Sequence, residues 1–241
     1  MNIKILASSS KGNAYIVSNK KTTLLLDAGI TAKEIRQKSG FAKIDGALIT
    51  HAHLDHSRAA TSLMKTGVDI YTGADTATAC KLAGHRLHII EPFKNTRIGV
   101  FDILPFDVQH DITNYGYLIT SDNGERLIYA TDTYYIKYVF PDITHILLEC
   151  NFDGETLKQN ISNGYLSPIV AKRLYKSHMS LETVVMTLKA WDLSKLRQIF
   201  LIHLSDGNSN IERIKNTIQA LIGAERSPVK PVLRVAEEVY I

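Results

Sequence analysis

The sequence contains few cysteines, few prolines and no long apolar run. Its two cysteines, Cys80 and Cys150, are too few for a disulfide scaffold. Both lie in apolar stretches, where a cysteine usually acts as a small buried hydrophobe, so we expect both to be reduced. The six prolines are scattered and mark no linker. No segment reaches the ~20 apolar residues of a membrane span, and the first residues lack the order of a signal peptide, which predicts a cytoplasmic protein with no membrane partner.

The composition is that of a globular chain with a sizeable core. Of its 241 residues, 45% are hydrophobic, and a chain of this length buries roughly 70–75% of its unfolded surface. We therefore expect a single domain over residues 1–241. The net charge of +4 favours a phosphate-bearing substrate only weakly. Basic residues are enriched in the C-terminal half, where we interpret them as solvated helix faces: Lys172, Arg173, Lys176, Lys189, Lys195, Arg197, Arg213 and Lys215.

Periodicity predicts short strands and short helices in two blocks. The expected strands are Asn2–Ala7, Ala14–Ser18, Thr22–Asp27, Asp45–Thr50, residues 67–73, several runs between Leu87 and Ala130 that include residues 97–110, Ile143–Glu149 and Gln198–His203. The expected helices are Thr31–Lys38, Ser57–Lys65, Asp75–Leu82, Ser167–Tyr175 and Ser180–Trp191. Two strand-rich blocks, each followed by helices, predict an α/β fold with two sheets packed face to face and helices outside.

Potential metal ligands are concentrated in the motif HAHLDH, directly after the predicted strand Asp45–Thr50. Residues two apart in an extended segment project to the same side, so His51 and His53 can share one ion. Asp55 and His56 lie where the chain turns into a predicted helix, and they can meet a second ion. Packing alone does not explain three histidines and a carboxylate within six positions.

Three further polar residues, His110, Asp132 and His203, occur at the ends of predicted strands. Side chains at the ends of different strands can converge on one edge of a sheet. With the motif they make a set of five imidazoles and two carboxylates, which suits Zn²⁺, Mn²⁺ or Fe²⁺ better than Mg²⁺ or Ca²⁺. Asp132 can bridge two ions because a carboxylate has two oxygens.

The order THAHLDH, a single histidine, TDT and a late IHLS resembles the metallo-β-lactamase superfamily over nearly the whole chain. The resemblance implies a four-layer αββα sandwich with a dinuclear site at one edge of the two sheets. It implies one metal held by His51, His53 and His110, a second held by Asp55, His56 and His203, and Asp132 as the bridge. Asp27 resembles the family's structural aspartate near the motif loop, although an ordinary strand-end turn residue explains it equally well. Five local segments are similar to the YycJ-type branch: SSSKGN, HD at residues 110–111, LLECN, SHMS and HLS.

The resemblance also implies a reaction. Two metals ~3.5–4 Å apart lower the pKa of a shared water toward ~7, which provides hydroxide as a nucleophile and suits the in-line cleavage of a phosphodiester. We expect Asp55, as a ligand of the second metal, and His178 to be catalytic. His178 in SHMS resembles the histidine that assists the leaving group in phosphodiesterase branches, and a histidine titrates in the range that a general acid needs. The alternative is a histidine that merely packs at a helix start.

Two neighbouring residues, Glu149 and Cys150, end a predicted strand on the same edge. Glu149 can orient a ligand imidazole or His178, or it can simply be solvated. Cys150 is not expected to bind metal, because the ligand set is full without it.

Several functions are compatible with this ligand set. We predict a metal-dependent phosphodiesterase, a nuclease whose substrate is DNA or RNA, with two divalent ions as cofactors. A glyoxalase II-like thioesterase shares all seven ligands and is the alternative, together with an enzyme for small phosphodiesters. A secreted β-lactam hydrolase is disfavoured because it lacks the bridging aspartate, and a β-CASP nuclease because its inserted domain has no room here. Two alternatives belong to a different functional class: a metal-binding module without hydrolytic activity, and a diiron protein. Metal content and colour would distinguish them, because a diiron centre absorbs visible light and zinc does not. The sequence does not define endo or exo action, or the oligomeric state.

Overall fold

The computed structural model describes residues 1–224 and 232–236. It divides into two compact units, the first formed by Met1–Asp107 and Ile112–Gly124 and the second by Val108–Asp111 and Glu125–Ile241. The single-domain organisation over residues 1–241 stays a prediction. Within the described ranges, no helix combines the length and apolar character needed to cross a bilayer.

The first unit contains a six-stranded sheet whose strands follow one another in chain order. They are β1 (Asn2–Ser9), β2 (Gly12–Ser18), β3 (Thr23–Leu26), β4 (Gly46–Leu48), β5 (Ile70–Thr72) and β6 (Leu87–Ile89). Strands β1 to β3 are antiparallel and β3 to β6 are parallel. In the parallel pair β3 and β4, Leu26 lies beside Leu48, so both strands end at the same edge of the sheet.

Four short helices cover the connections of this sheet. They are α1 (Ala32–Lys38), α2 (Leu54–Ser57), α3 (Ala60–Lys65) and α4 (Ala74–Ala79). Helix α1 starts with a capping box, in which Thr31 accepts from the Glu34 amide and the Glu34 carboxylate accepts from the Thr31 amide. It packs one buried side chain, Ile35, into the core.

The helix predicted over Ser57–Lys65 is divided in the structure. Helix α2 ends at Ser57 and α3 begins at Ala60. The amide of Ala59 donates to the carbonyl of Ala28, 2.8 Å away, and this bond ties the break to the segment after β3. The predicted helix Asp75–Leu82 is likewise shorter, since α4 ends at Ala79.

The first unit also contains three antiparallel strands, β7 (Thr96–Ile98), β8 (Phe101–Asp107) and β9 (Tyr115–Ser121). The sequence suggests one run over residues 97–110, but the structure turns it at Gly99, whose φ is +55°. A side chain at this position would also meet Thr22, since an added Cβ would approach its Oγ1 to 2.2 Å. Glycine is therefore required at this turn.

The second unit contains a parallel sheet in the order β10-β11-β12-β13. Its strands are β10 (Arg126–Ala130), β11 (His145–Glu149), β12 (Gln198–Ile202) and β13 (Val232–Val235). Strands β10 to β12 are almost wholly buried, which explains their unbroken apolar runs. The helices are α5 (Gly154–Ser162), α6 (Pro168–Ser177), α7 (Leu181–Ala190) and α8 (Ile211–Ala224). Helices α5 and α8 have no counterpart among the predicted elements.

Candidate metal centre

The HAHLDH motif follows strand β4, whose three residues are all buried. His53 precedes the first residue of α2, and its extended backbone, with φ −59° and ψ 143°, makes the change from strand to helix. His51 and His56 are completely buried, whereas His53 and Asp55 are partly exposed. The motif therefore places two enclosed and two accessible ligand groups within one short turn.

The four predicted ligands of the first unit are close together. His51 Nε2 lies 3.1 Å from His53 Nδ1, and His56 Nε2 lies 3.3 Å from Asp55 Oδ2. The rings of His51 and His56 are 4.3 Å apart between centroids. The structure thus brings together all four motif residues that the sequence predicts.

These separations match the dimensions of a metal site. Zinc bonds to imidazole nitrogen at about 2.0–2.1 Å in tetrahedral geometry, so two adjacent ligand atoms lie roughly 3.3 Å apart. The His51–His53 and His56–Asp55 pairs are 3.1 and 3.3 Å apart. The donor set and its spacing therefore fit a divalent metal ion.

Asp27 supports the motif from the end of β3. Its Oδ2 is 2.7 Å from His56 Nδ1, and its Oδ1 accepts from the amide of Thr50 at 2.8 Å. The Thr50 hydroxyl donates to Asp27 and lies 2.9 Å from His51 Nδ1. When Nδ1 of each histidine donates, Nε2 carries the lone pair that a metal needs. These contacts agree with the expected supporting role of Asp27.

Sequence reasoning missed Asn13 on β2. Its buried side-chain nitrogen lies 3.0 Å from His56 Nε2 and 3.4 Å from the carbonyl of Asp55. The same strand contacts Gly29, whose amide donates to the Asn13 carbonyl. A Cβ on Gly29 would lie 1.6 Å from the Asp55 carbonyl oxygen, so the backbone there must be glycine. The segment SSSKGN contained this residue, but only the fold shows what it contacts.

In the second unit, Asp132 lies between two of the predicted histidines. Its Oδ2 is 3.9 Å from His110 Nε2, and its Oδ1 is 2.7 Å from His203 Nδ1. His110 Nδ1 is 3.2 Å from the carbonyl of Ser177, which favours the tautomer with Nε2 as the acceptor. Asp111, which the sequence did not assign, places Oδ1 3.0 Å from the same Nε2. One oxygen of Asp132 thus faces each histidine, as a bridging carboxylate requires.

Three residues of these two clusters have left-handed backbone. The φ angles are 54° at Asp27, 50° at Asp132 and 55° at His203. Such angles are uncommon outside glycine and cost free energy, and they are found where the surrounding structure holds a side chain in a functional position. At His203 the carbonyl accepts a hydrogen bond of 2.8 Å from the buried side chain of Asn151.

Glu149, at the end of β11, joins His178 to His203. Its Oε1 lies 2.6 Å from His178 Nδ1 and 3.1 Å from His203 Nδ1, and its Oε2 accepts from the amides of Thr133 and Met179. The carboxylate is fully buried, so the solvated alternative is wrong. Ligand atoms of Asp132, Glu149, His178 and His203 all lie within 4.8 Å of one another.

His178 occupies a different place in the helical pattern from the expected one. It is the C-cap residue directly after α6, and two residues separate it from α7, so it is not simply the first residue of a helix. Its amide donates to the carbonyl of Leu174 at 2.9 Å. The side chain is partly exposed, at 19%. His178 is therefore anchored through Glu149 and still accessible to a substrate.

Burial and charge act in opposite directions on these histidines. Burial lowers the pKa of His178, but the adjacent Glu149 raises it, and the net pKa is above its usual value. For His203, burial is outweighed by Asp132 and Glu149, which raise the pKa to about 10. Burial lowers the pKa of His110 more than Asp132 and Asp111 raise it. Burial raises the pKa of Glu149, but His178 and His203 hold it below its usual value.

Neither cysteine takes part in these clusters. Both are free thiols, as expected from the sequence. Cys150 is completely buried, and burial raises the pKa of its thiol well above the usual value. A thiol that stays protonated is a poor metal ligand and nucleophile.

The family follows from a comparison with known sequences. The profile described as "Beta-lactamase superfamily domain" matches residues 22–204, which include all seven predicted ligands. The chain belongs to this superfamily, as a metallo-β-lactamase-type member of the YycJ branch. It is therefore a metal-dependent hydrolase.

Curated relatives and a solved structure agree with this placement. The chain is 30% identical to an exodeoxyribonuclease WalJ of Streptococcus pneumoniae over 228 residues, which cover 85% of this chain and 82% of the relative. It is 24% identical to an exodeoxyribonuclease YycJ of Bacillus anthracis over 239 residues, covering 92% and 89%. The metallo-β-lactamase fold protein YhfI from Bacillus subtilis superposes with a TM-score of 0.71 at 16% identity, covering 97% and 95%. The predicted family and α/β sandwich fold are thereby confirmed.

Proposed function

We propose that this protein is a phosphodiesterase, a nuclease that cleaves DNA with two divalent metal ions. The proposed ligands are His51, His53 and His110 for one ion and Asp55, His56 and His203 for the other, with Asp132 shared by both. This assignment rests on family membership and on the cluster within each unit. The observation that carries it is Asp132, which presents one carboxylate oxygen to His110 and the other to His203.

The donor chemistry supports zinc or manganese, with iron as a further candidate. Imidazole and carboxylate donors are the ligands that these ions prefer, and the second unit adds the buried Glu149 beside them. When bound, the ions would supply a hydroxide nucleophile at neutral pH. The chain's own residues would then orient the ligands, exclude water and move protons.

His178 is the proposed general acid. The Glu149 carboxylate, 2.6 Å away, raises the pKa of His178 and holds the ring by Nδ1, so that Nε2 can deliver a proton to the departing oxygen. Two backbone amides, of Thr133 and Met179, fix Glu149 in turn. A thioester needs no such proton donor, because a thiolate leaves readily, so the His178–Glu149 pair favours phosphodiester cleavage over the glyoxalase II-like alternative.

The relatives favour DNA. Two of them are named exodeoxyribonucleases, and the chain aligns with most of their length. We therefore propose DNA, cleaved from an end, as the substrate, in preference to RNA or a small phosphodiester.

The test compares substrates on the metal-loaded protein. Zinc- and manganese-loaded samples are given bis(p-nitrophenyl) phosphate, end-labelled DNA and RNA, and S-lactoylglutathione. We expect cleavage of the phosphodiesters, with DNA preferred and mononucleotides released from the start of the reaction. Turnover of the thioester alone would overturn the proposal.

Asp132→Asn is the accompanying variant, because it keeps the shape of the side chain and removes one ligand charge. We expect loss of activity and a bound metal content that falls below two per chain. Asp122→Asn is the matched control, since Asp122 is a surface carboxylate paired with Lys21. Full activity of Asp132→Asn would rule out a shared carboxylate.

A further inference from the structure

Helix α6 carries a row of basic side chains on its outer face. Residues three and four apart lie on one face of a helix, and this spacing relates Ile169, Lys172, Arg173 and Lys176, which we call the α6 stripe. All four are exposed, Ile169 at 82%. Tyr165, in the connection before the helix, exposes 81% of its surface.

The opposite face of α6 attaches the helix to its unit. Ala171 is buried against Phe152 and Leu157, with Leu174 packed on the same cluster. The ring of Tyr175 meets Phe152 edge to face, with 4.9 Å between centroids. The fold therefore uses the inner face, and the α6 stripe contributes no packing that the structure needs.

The segment of the chain that contains the stripe carries charges of one sign only. No aspartate or glutamate occurs in residues 156–181, which include Lys158 as well as the stripe cations. In residues 1–224 and 232–236, Lys172, Arg173 and Lys176 make no ion pair. Cations that have no carboxylate partner attract a polyanion, and their attraction is screened by salt.

The stripe leads to the proposed general acid. Helix α6 has ten residues and ends at Ser177, and His178 follows directly. Ten residues rise about 15 Å, which is long enough to contact a few consecutive phosphates of one strand. A strand lying on the stripe would thus reach from Tyr165 to His178.

We propose that the α6 stripe binds the sugar–phosphate backbone of a single nucleic-acid strand and leads it to His178, while the ring of Tyr165 stacks on a base further along that strand. The proposal rests on the function proposed above and specifies which part of the substrate this surface contacts. Phosphates complement the cations, and an exposed aromatic ring offers a stacking surface to an unpaired base. A second copy of the chain that docked through the same stripe would bring the same positive charge and be repelled.

The first experiment removes the three charges of the stripe. The variant Lys172→Gln/Arg173→Gln/Lys176→Gln is compared with a control of equal charge loss, Lys4→Gln/Lys20→Gln/Lys33→Gln, whose three lysines are exposed in the first unit. The probes are oligothymidylates of 2 to 12 nucleotides and bis(p-nitrophenyl) phosphate. We expect the ratio of 12-mer to small-diester kcat/KM to fall at least tenfold in the stripe variant and to stay unchanged in the control.

Salt and length make the result specific. Each phosphate contact of a single strand contributes about 0.7 to the slope of log affinity against log salt, so losing three should reduce the slope by about 2. In the natural protein, kcat/KM should rise with oligonucleotide length until the strand covers the whole α6 stripe. In the stripe variant this rise should be absent.

The stacking contact is tested with Tyr165→Ala and Tyr165→Phe. Stacking on an aromatic ring is worth a factor of about five or more per base. Tyr165→Ala should therefore weaken binding of the 12-mer by about that factor, and Tyr165→Phe should restore it. Equal binding by all three proteins would contradict the stacking part of the proposal.

Binding of a fluorescent 12-mer, measured by anisotropy without added metal, separates the two proposals. If the natural protein cleaves no phosphodiester, the proposed function fails, and weaker binding by the stripe variant still supports the surface. If the stripe variant binds and cleaves the 12-mer like the natural protein, the proposed role of the α6 stripe is overturned. It is also overturned if the control variant loses as much binding and cleavage as the stripe variant. The proposal would also be overturned if the stripe variant bound the 12-mer as the natural protein does but no longer bound anionic phospholipid vesicles. The same holds if it bound the 12-mer normally but had lost a dimer that the natural protein forms in solution.

Discussion

Glu149 Oε1 lies 2.6 Å from His178 Nδ1, and the carboxylate of Glu149 is completely buried. The pair fixes the orientation of the one histidine in this cluster that is accessible from outside. It also links that histidine to His203, because the same oxygen is 3.1 Å from His203 Nδ1. Changes at His178 should therefore affect proton transfer, and changes at Glu149 should affect both proton transfer and metal binding.

The first prediction concerns the leaving group. In His178→Ala, turnover of a diester with a poor leaving group, such as a dinucleotide, should fall about 10²–10⁴-fold, which is the range of general acid catalysis. Bis(p-nitrophenyl) phosphate should be affected much less, because p-nitrophenolate leaves without a proton. Metal content should stay at the level of the natural protein. Loss of metal would mean that His178 is a ligand.

The second prediction concerns the support of the motif by Asp27. Asp27→Asn keeps the left-handed backbone, which asparagine tolerates, and removes the charge that faces His56 at 2.7 Å. Loss of such a partner typically lowers metal affinity 10–100-fold. Competition with a zinc-binding dye measures this change. The control is Asp45→Asn, which changes a carboxylate paired with Lys43. An equal loss of metal affinity in this control would refute a specific role for Asp27.

A third prediction follows from the close approach at Gly29. In Gly29→Ala the new Cβ would lie 1.6 Å from the Asp55 carbonyl oxygen, so the motif backbone must move. Overpacking of this kind costs about 1–3 kcal/mol or more, and each kcal/mol lowers Tm by about 2–4 °C for a chain of this size. Thermal unfolding should show the decrease, and metal affinity should fall with it. Gly207→Ala, which meets no atom within 4 Å, should keep Tm unchanged.

The fourth prediction concerns protons. Asp132 and Glu149 outweigh burial and raise the pKa of His203 to about 10, above the value of about 6.5 in an unfolded chain. In the metal-free protein this interaction stabilises the fold fully below about pH 6.5, and the stabilisation is lost as the pH rises toward 10. Metal must displace the same proton, so affinity should increase with pH over this range. Calorimetry in buffers of different ionisation enthalpy should show proton release, and a pH-independent affinity would contradict the prediction.

The sequence predicted the family, the α/β sandwich and the enzyme class because its potential metal ligands are concentrated in short motifs at strand ends. HAHLDH defines four of the residues on its own, and His110, Asp132 and His203 each follow a strand of strong apolar character. The supporting contacts were harder to predict. Asn13 and His56 are 43 positions apart, and no local pattern indicates that β2 and α2 meet. The break at Gly99 was missed because alternating apolar residues continue through it.

Other expectations stay predictions. They are the identity of the ions as zinc, manganese or iron, the number of ions and the cytoplasmic location. Ligand spacing of 3.1 to 3.3 Å fits several first-row ions, because their bond lengths differ little.

The left-handed backbone at Asp132 and His203 limits how the metal preference of this protein can be redesigned. At these positions a new ligand must satisfy the metal and also tolerate φ angles of 50° and 55°, which leaves mainly asparagine, aspartate and histidine. A cysteine introduced there to attract a softer ion would carry the added cost of its backbone. His53, with an ordinary φ of −59°, imposes no such limit. Exchange of ligand type should begin at His53, where the choice of side chain is a matter of coordination chemistry alone.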